Sequence, residues 1–187
     1  MLFSLLLCGP ALAAAPPDPG AVVRAARYFV ANAPVGFTPD CAGFVAASFH
    51  RVGVPIAGSP RWMWDRAAAA GALHFRTVPS PGDIVFFDDT YDKNHNGLRD
   101  DPLTHVALVL TVDAVSGDVL MAHGGATGGR TFLRMNLLHP TDDDRNDGLR
   151  RPGLKPLGGP VLAGELFVGF ASVRAEDLPV WLGVATP

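Results

Sequence analysis

The residues of this chain that can do chemistry begin with a lone thiol placed directly after a carboxylate. Asp40 and Cys41 open the segment DCAGFV, which reads as the start of a helix because aspartate is a preferred N-cap residue. A helix N-terminus favours negative charge and therefore the thiolate, which is the nucleophilic form of cysteine. The pattern predicts that Cys41 is a nucleophile. The alternative is a small buried cysteine without chemistry.

Two histidines follow on separate strand-like segments. His105 opens the run HVALV, and His123 closes the run VLMAH. An imidazole beside a thiol favours the thiolate and can take its proton, and a third group then fixes the tautomer of that imidazole. Each histidine alone is equally typical of a hydrogen-bonded core residue. In the order thiol, imidazole, imidazole, the residues together predict a thiol hydrolase.

The elements that must position these side chains divide into helices followed by strands. Capping residues and apolar periodicity predict helices over residues 18–32, 40–53 and 59–71. Short β-rich runs separated by Gly, Asp and Pro then predict strands over residues 83–87, 105–112, 118–123, 131–137 and 166–173. Helices first and antiparallel strands second indicate an α+β fold.

The composition limits the classes of protein that the chain can belong to. Of 187 residues, 48% are hydrophobic and 18% are charged, which is typical of a globular domain rather than a disordered chain. The net charge is −3 and the basic residues are scattered, so nucleic-acid binding is not expected. No interdomain linker interrupts the sequence, and we predict a single domain over residues 18–187.

The first fifteen residues are predicted to be a signal peptide. Residues 1–15 are apolar and end in an alanine-rich stretch, but they are too few to span a bilayer as a helix. Cys8 follows Leu7 rather than a small residue, so lipidation is not expected. Removal of the segment leaves Cys41 as the sole cysteine, free of any internal disulfide. A secreted or periplasmic protein without a transmembrane segment is therefore predicted.

The motifs resemble those of the NlpC-type cell-wall peptidases, part of the CHAP group of cysteine- and histidine-dependent amidohydrolases. That family shows DCSGFV, PGD followed by hydrophobic residues and FF, then HV with hydrophobic residues, and a later strand with histidine. This chain has DCAGFV, PGDIVFF, HVALV and MAHG in the same order over about residues 28–137. The resemblance implies a papain-like fold in which the helix bearing Cys41 packs on a sheet bearing both histidines. It implies Cys41 as nucleophile, His105 as base and His123 as the orienting third residue.

The resemblance also suggests residues that would contact substrate. Asp40 would meet a free amine of the substrate. Tyr28 lies at a plausible distance for the family's oxyanion tyrosine, although the residues after it do not match the usual YxWGG stretch. Ala42 replaces the usual serine. Trp62 is expected to line a substrate groove, with a core position as the alternative.

The expected activity is that of a secreted cysteine peptidase acting on amide bonds in peptidoglycan stem peptides. No cofactor is expected for catalysis, the expected partner is peptidoglycan or a peptide, and the protein is expected to be a monomer. One alternative is an N-acetylmuramoyl-L-alanine amidase of the same fold. Another is a catalytically silent, calcium-stabilised module that binds the cell wall.

A second motif lies between the first two major predicted strands. The stretch DKNHNGLRDD places oxygen ligands at alternate positions before a glycine, like the first half of a calcium loop. Leu103 stands where the usual bidentate glutamate would be, so Asp101, or Asp88 with Asp89, would have to substitute. The alternative is a solvated Asn-Gly turn, and a similar acidic stretch at residues 141–148 is read as solvated. The candidate ligands of a structural calcium ion are Asp92, Asn94, Asn96, Leu98 (through its carbonyl), Asp100 and Asp101.

Overall fold

The computed structural model describes residues 18–75, 78–125, 129–150 and 159–184. Three helices come first: α1 (Pro19–Ala31), α2 (Cys41–His50) and α3 (Pro60–Ala69). None of the helices in the described ranges is long and apolar enough to cross a membrane. The predicted signal peptide, with Cys8, lies outside the described residues.

A six-stranded antiparallel sheet follows the helices. Its strands run side by side in the order β1-β6-β2-β3-β4-β5. The elements are β1 (Leu73–His74), β2 (Ile84–Phe87), β3 (His105–Val112), β4 (Asp118–Gly124), β5 (Arg130–Asn136), α4 (Ala163–Leu166), β6 (Phe167–Ala171) and α5 (Leu178–Trp181). This arrangement confirms the predicted α+β, papain-like fold.

Side-chain caps set the starts of the three long helices. The carboxylates of Asp18 and Asp40 and the hydroxyl of Ser59 each accept a hydrogen bond from a backbone N–H of the first turn. Such a cap satisfies one of the donors that a helix start leaves unpaired, which is worth about 1 kcal/mol. The predicted helix starts are therefore confirmed, including the one that places Cys41 at the first position of α2.

The sheet is covered by apolar side chains on both faces. Alternate residues of β2 point to opposite sides, so that Phe86 packs with α2 and α3 residues, whereas Phe87 packs with residues of β5 and α4. All four residues of β2 are buried. A strand buried on both faces cannot shift its register without moving large side chains. The register of β2 therefore holds the neighbouring strand β3, which begins at His105, in place.

The aspartate of the PGD segment has a structural position. Asp83 is buried, and its carboxylate accepts hydrogen bonds from the Ser172 hydroxyl (2.8 Å) and the Ser80 N–H (2.7 Å) and lies 3.1 Å from His74 Nε2. These contacts join β1, the start of β2 and the end of β6. The cluster therefore ties together the end of the sheet that does not carry His105 and His123.

Candidate active site

The three residues predicted to do chemistry meet at one cleft. Cys41 is the first residue of α2, His105 is the first residue of β3, and His123 is the next-to-last residue of β4. All three line a cleft of about 810 Å³ between the start of α2 and the strand ends that carry the two histidines. Their backbones belong to packed elements, so their positions are fixed by the fold rather than by flexible loops.

Two glycines allow the parts of this site to approach each other. A side-chain carbon at Gly43 would lie 2.0 Å from the Thr38 carbonyl oxygen, and one at Gly124 would lie 2.8 Å from the Asp40 carbonyl oxygen. Both distances are far below van der Waals contact. The loop before α2 therefore packs directly on that helix, and the helix start packs directly on the strand end beside His123.

We expect Gly43→Ala to destabilise the fold because the added methyl group overlaps the Thr38 backbone. Overpacking of this kind costs about 3 kcal/mol, which lowers the melting temperature by roughly 6–12 °C for a chain of this size. Thermal denaturation followed by circular dichroism measures the change. Gly148→Ala is the matched control, since no atom lies within 4 Å of the added carbon there. Equal melting temperatures for the two variants would contradict the close contact.

The thiol of Cys41 is buried and surrounded by backbone donors. Its residue is 9% exposed. The backbone N–H groups of Val106, Ala42 and Cys41 itself lie close enough to the sulfur to lower its pKa, and Val106 is the neighbour of His105. These amides are suited to stabilise negative charge, either on the sulfur or on an oxyanion formed beside it.

Burial nevertheless dominates and raises the pKa of the Cys41 thiol to about 11, with a smaller contribution in the same direction from the Asp40 carboxylate. This direction is opposite to the lowered pKa expected from the helix start and a nearby imidazole. The physical reason is that α2 packs so closely on the sheet that water is largely removed from the sulfur. The structure therefore favours a neutral Cys41 thiol at rest.

The two histidines are joined by a direct hydrogen bond. His105 Nε2 lies 2.9 Å from His123 Nδ1, and the rings meet edge to face. Burial lowers the pKa of His123, and the carboxylate of Asp147 only partly offsets this effect. A neutral His123 can accept a hydrogen bond from the His105 Nε2–H through its Nδ1, which leaves His105 Nδ1 as the basic nitrogen. This hydrogen bond is compatible with the predicted roles of His105 as base and His123 as its orienting partner.

We expect the alkylation of Cys41 by iodoacetamide to rise steeply with pH. Because the pKa of the thiol is raised, the thiolate is scarce at neutral pH, and its fraction grows about tenfold per pH unit as the pH approaches the pKa. Mass spectrometry of the protein at timed points between pH 5 and 10 measures the rate. Glutathione provides the reference thiol. A rate that is high and constant between pH 5 and 8 would instead indicate a thiolate–imidazolium pair at rest.

The predicted substrate-contacting residues occupy different places. Asp40 lines the cleft, but its carboxylate also caps α2 through the Gly43 N–H at 2.7 Å and accepts a hydrogen bond from the Thr38 hydroxyl. Its position beside the cleft thus comes with a structural role.

Neither predicted aromatic residue lines the cleft. Tyr28 is 44% exposed on α1, where its ring stacks under the Arg51 guanidinium at 4.0 Å. The ring of Trp62 packs against Gly58, so it supports the cleft from behind. In the structure the Tyr28 ring contacts Arg51 and the Trp62 ring contacts Gly58, and contact of either ring with substrate stays a prediction.

The opposite side of the cleft comes from a segment that sequence reasoning assigned only to calcium. We call residues 88–104, between β2 and β3, the β2–β3 loop. Its residues Thr90, Tyr91, Lys93 and Thr104 line the cleft across from Cys41. The sequence signal that could have placed this loop at the cleft is its position, because it leads directly into His105. The predicted calcium ligands, residues 92–101, lie in this same loop.

The comparison with protein families agrees with this geometry. The model of the CHAP domain matches residues 32–125, about half of the chain, and the match includes Cys41, His105 and His123. Comparisons with curated proteins and with solved structures gave no match. CHAP domains are generally cysteine- and histidine-dependent amidohydrolases or peptidases that act on peptidoglycan. On the extent of the match, the chain belongs to the CHAP domain family.

Proposed function

We propose that this chain is an NlpC-type cysteine peptidase that hydrolyses amide bonds in peptidoglycan stem peptides. Membership of the CHAP family carries the general activity, hydrolysis of peptidoglycan. The observation that supports the specific proposal is the hydrogen-bonded pair of His105 and His123 in the same cleft as Cys41. We further propose that residues 18–187 act as one monomeric domain at the cell envelope after removal of residues 1–15.

The chemistry follows from the positions of these groups. The Cys41 sulfur attacks the carbonyl carbon of the scissile amide, while its proton passes to His105 Nδ1. Negative charge on the carbonyl oxygen is stabilised by the backbone N–H groups near the sulfur. His105 then gives the proton to the amide nitrogen, and the amine leaves as a thioester forms.

The second half of the reaction releases the acid. A water molecule attacks the thioester carbon as His105 Nδ1 takes its proton. The carbon–sulfur bond breaks, the proton returns to the sulfur, and the carboxylic acid leaves. His123 holds the ring of His105 in the required orientation through both halves and touches no substrate atom.

The charges in the cleft support a peptide substrate. Among the described residues, the acidic and basic side chains that line it besides the two histidines are Asp40 and Lys93. Stem peptides carry free amines and carboxylates, and an acidic and a basic side chain in one cleft suit both.

Digestion of purified peptidoglycan distinguishes the candidates. The full chain is incubated with sacculi, and the soluble fragments are identified by mass spectrometry, with Cys41→Ala as the inactive control. A stem-peptide peptidase produces fragments with new termini inside the peptide and sugar still attached to the first residue. Sugar-free intact peptides would establish the amidase instead. Binding to sacculi without fragments would establish the silent module.

A further inference from the structure

The β2–β3 loop contains a buried carboxylate oxygen without a partner. Asp92 is 9% exposed, and its Oδ2 accepts a hydrogen bond from the Gly97 N–H at 2.9 Å. Its Oδ1 is buried and has no hydrogen-bond partner in the described part of the chain, where no salt bridge of Asp92 occurs either. A buried carboxylate that lacks a cation or donor is unfavourable. A cation bound to this oxygen would remove the cost of burying it unpaired.

The backbone around Asp92 is wound as a cation-binding loop requires. The Asn94 side-chain oxygen accepts from the Asn96 N–H at 2.9 Å, and the Asn96 oxygen accepts from the Leu98 N–H at 2.7 Å. Gly97, at the sixth position counted from Asp92, has a φ of +77°. Oxygen-bearing side chains at the first, third and fifth positions with a turn glycine at the sixth form a calcium loop.

A second carboxylate contacts the same asparagines. Asp100, at the ninth position, accepts hydrogen bonds from the amide nitrogens of Asn94 (3.1 Å) and Asn96 (3.0 Å). Each asparagine oxygen has a second lone pair beyond the one used by the backbone. The side chains of Asp92, Asn94, Asn96 and Asp100 therefore supply oxygens within nine consecutive residues.

We propose that the β2–β3 loop binds one calcium ion. Its ligands are Asp92 Oδ1, the side-chain oxygens of Asn94 and Asn96, the Leu98 carbonyl and the Asp100 carboxylate, with water completing the six to eight oxygens that calcium takes. Oxygen ligands without histidine or thiolate select a hard cation, and the small, strict octahedron of magnesium suits a flexible loop poorly.

The other acidic residues of the loop have a different role. Asp101 accepts from the Lys93 N–H, and Asp88 accepts from the Leu103 N–H. The Asp89 N–H donates a hydrogen bond to the Asp101 carbonyl oxygen, and the Asp101 N–H donates one to the Asp89 carboxylate. These three aspartates close the neck of the loop and do not replace the missing glutamate. Asp101 is thus assigned to the neck rather than to the ion.

The ion would act on the cleft because the loop forms one of its sides. Tyr91 and Lys93 flank Asp92 and line the cleft. The Thr104 hydroxyl accepts hydrogen bonds from both the N–H and the hydroxyl of Thr90, and Thr104 directly precedes His105. Calcium therefore fixes the cleft side that faces Cys41 and the residue that leads into the base.

Calcium binding is tested on the full chain by isothermal titration calorimetry and by the melting temperature. A loop with two neutral asparagines has an expected dissociation constant near 1 mM, so 10 mM calcium raises the melting temperature by about 3–6 °C. Magnesium at the same concentration leaves it unchanged. Cys41→Ala protein gives the same shift, which separates this result from the peptidase activity.

Matched variants locate the ion. We expect Asp92→Asn to abolish the calcium-induced rise in melting temperature. Asp100→Asn changes an exposed side chain and weakens calcium binding roughly tenfold, so it provides the test if the Asp92→Asn protein does not fold. The control is Asp142→Asn: Asp142, Asp143 and Asp144 bring carboxylate oxygens within 4.8 Å of one another but are mostly exposed. Absence of heat and of a shift up to 10 mM calcium overturns the site. So does a shift that survives Asp100→Asn unchanged or disappears in Asp142→Asn.

Discussion

Replacing Cys41 with alanine is expected to lower the rate of peptidoglycan hydrolysis by about 10⁴-fold or more. The sulfur forms the covalent bond to the acyl group, and Cys41 is the free cysteine of the described chain, so no other thiol replaces it there. Alanine fits the first position of α2 because the Asp40 cap does not depend on the thiol. The release of soluble fragments from sacculi, quantified over time, measures the loss.

The Cys41→Ala result requires that the protein remain folded. Its melting temperature should lie within a few degrees of that of the unchanged chain, since the substitution removes only one buried atom. Cys41→Ser serves as a second variant because its hydroxyl keeps the size but is a far weaker nucleophile. Hydrolysis at the original rate in either folded variant would refute the assigned mechanism.

The second large effect concerns the histidine pair. His105→Ala should lower the rate by about 10³-fold or more, because the thiol then has no base to take its proton and the leaving amine has no acid. His123→Ala should cost less, about 10–10²-fold, since His123 acts by orienting His105 and lowers only the fraction of correctly placed rings. Rates of sacculus digestion at a fixed protein concentration compare the two.

A conservative change at His123 tests the positioning role. His123→Gln offers an amide oxygen that can accept from His105 Nε2, so it should recover part of the activity that His123→Ala loses. The pH dependence of the rate provides a readout that a purely structural role would not change, because the pKa of His105 depends on its partner. If His123→Ala slowed Cys41 alkylation more than His105→Ala did, the base would be His123.

Local signals explain the parts of the fold that the sequence predicts correctly. Asp18, Asp40 and Ser59 are capping residues whose hydrogen bonds reach only three residues along the chain, so the helix starts follow from short stretches of sequence. The strand that begins at His105 is a continuous run of apolar and β-branched residues, which a short stretch of sequence suffices to identify. Fixing Cys41 and His105 at the starts of elements therefore required no knowledge of the tertiary fold.

Non-local features could not be predicted in the same way. The two-residue strand β1 and the short helix α4 have too few residues for any periodicity. β1 forms because it pairs with β6, and α4 forms because it packs on β5. The Tyr28 ring is oriented by Arg51, which lies at the end of α2. The Trp62 ring is oriented by Gly58, which lies in the loop before α3. The direction of the Cys41 pKa depends on how completely packing removes water, which a motif does not specify.

The backbone conformation of the β2–β3 loop has a consequence for how the enzyme admits a polymer. Asp89, His95 and Leu103 are the non-glycine residues with positive φ in the described chain, and all three lie in this loop. L-residues hold that conformation at a cost of roughly 1–2 kcal/mol each. The loop therefore opens locally at a lower free energy than the sheet, and its amide hydrogens should exchange with deuterium before those of β3. Before calcium binds, this side of the cleft can therefore open around a branched strand of cell wall, while Cys41, His105 and His123 are held by packed helix and strand backbone.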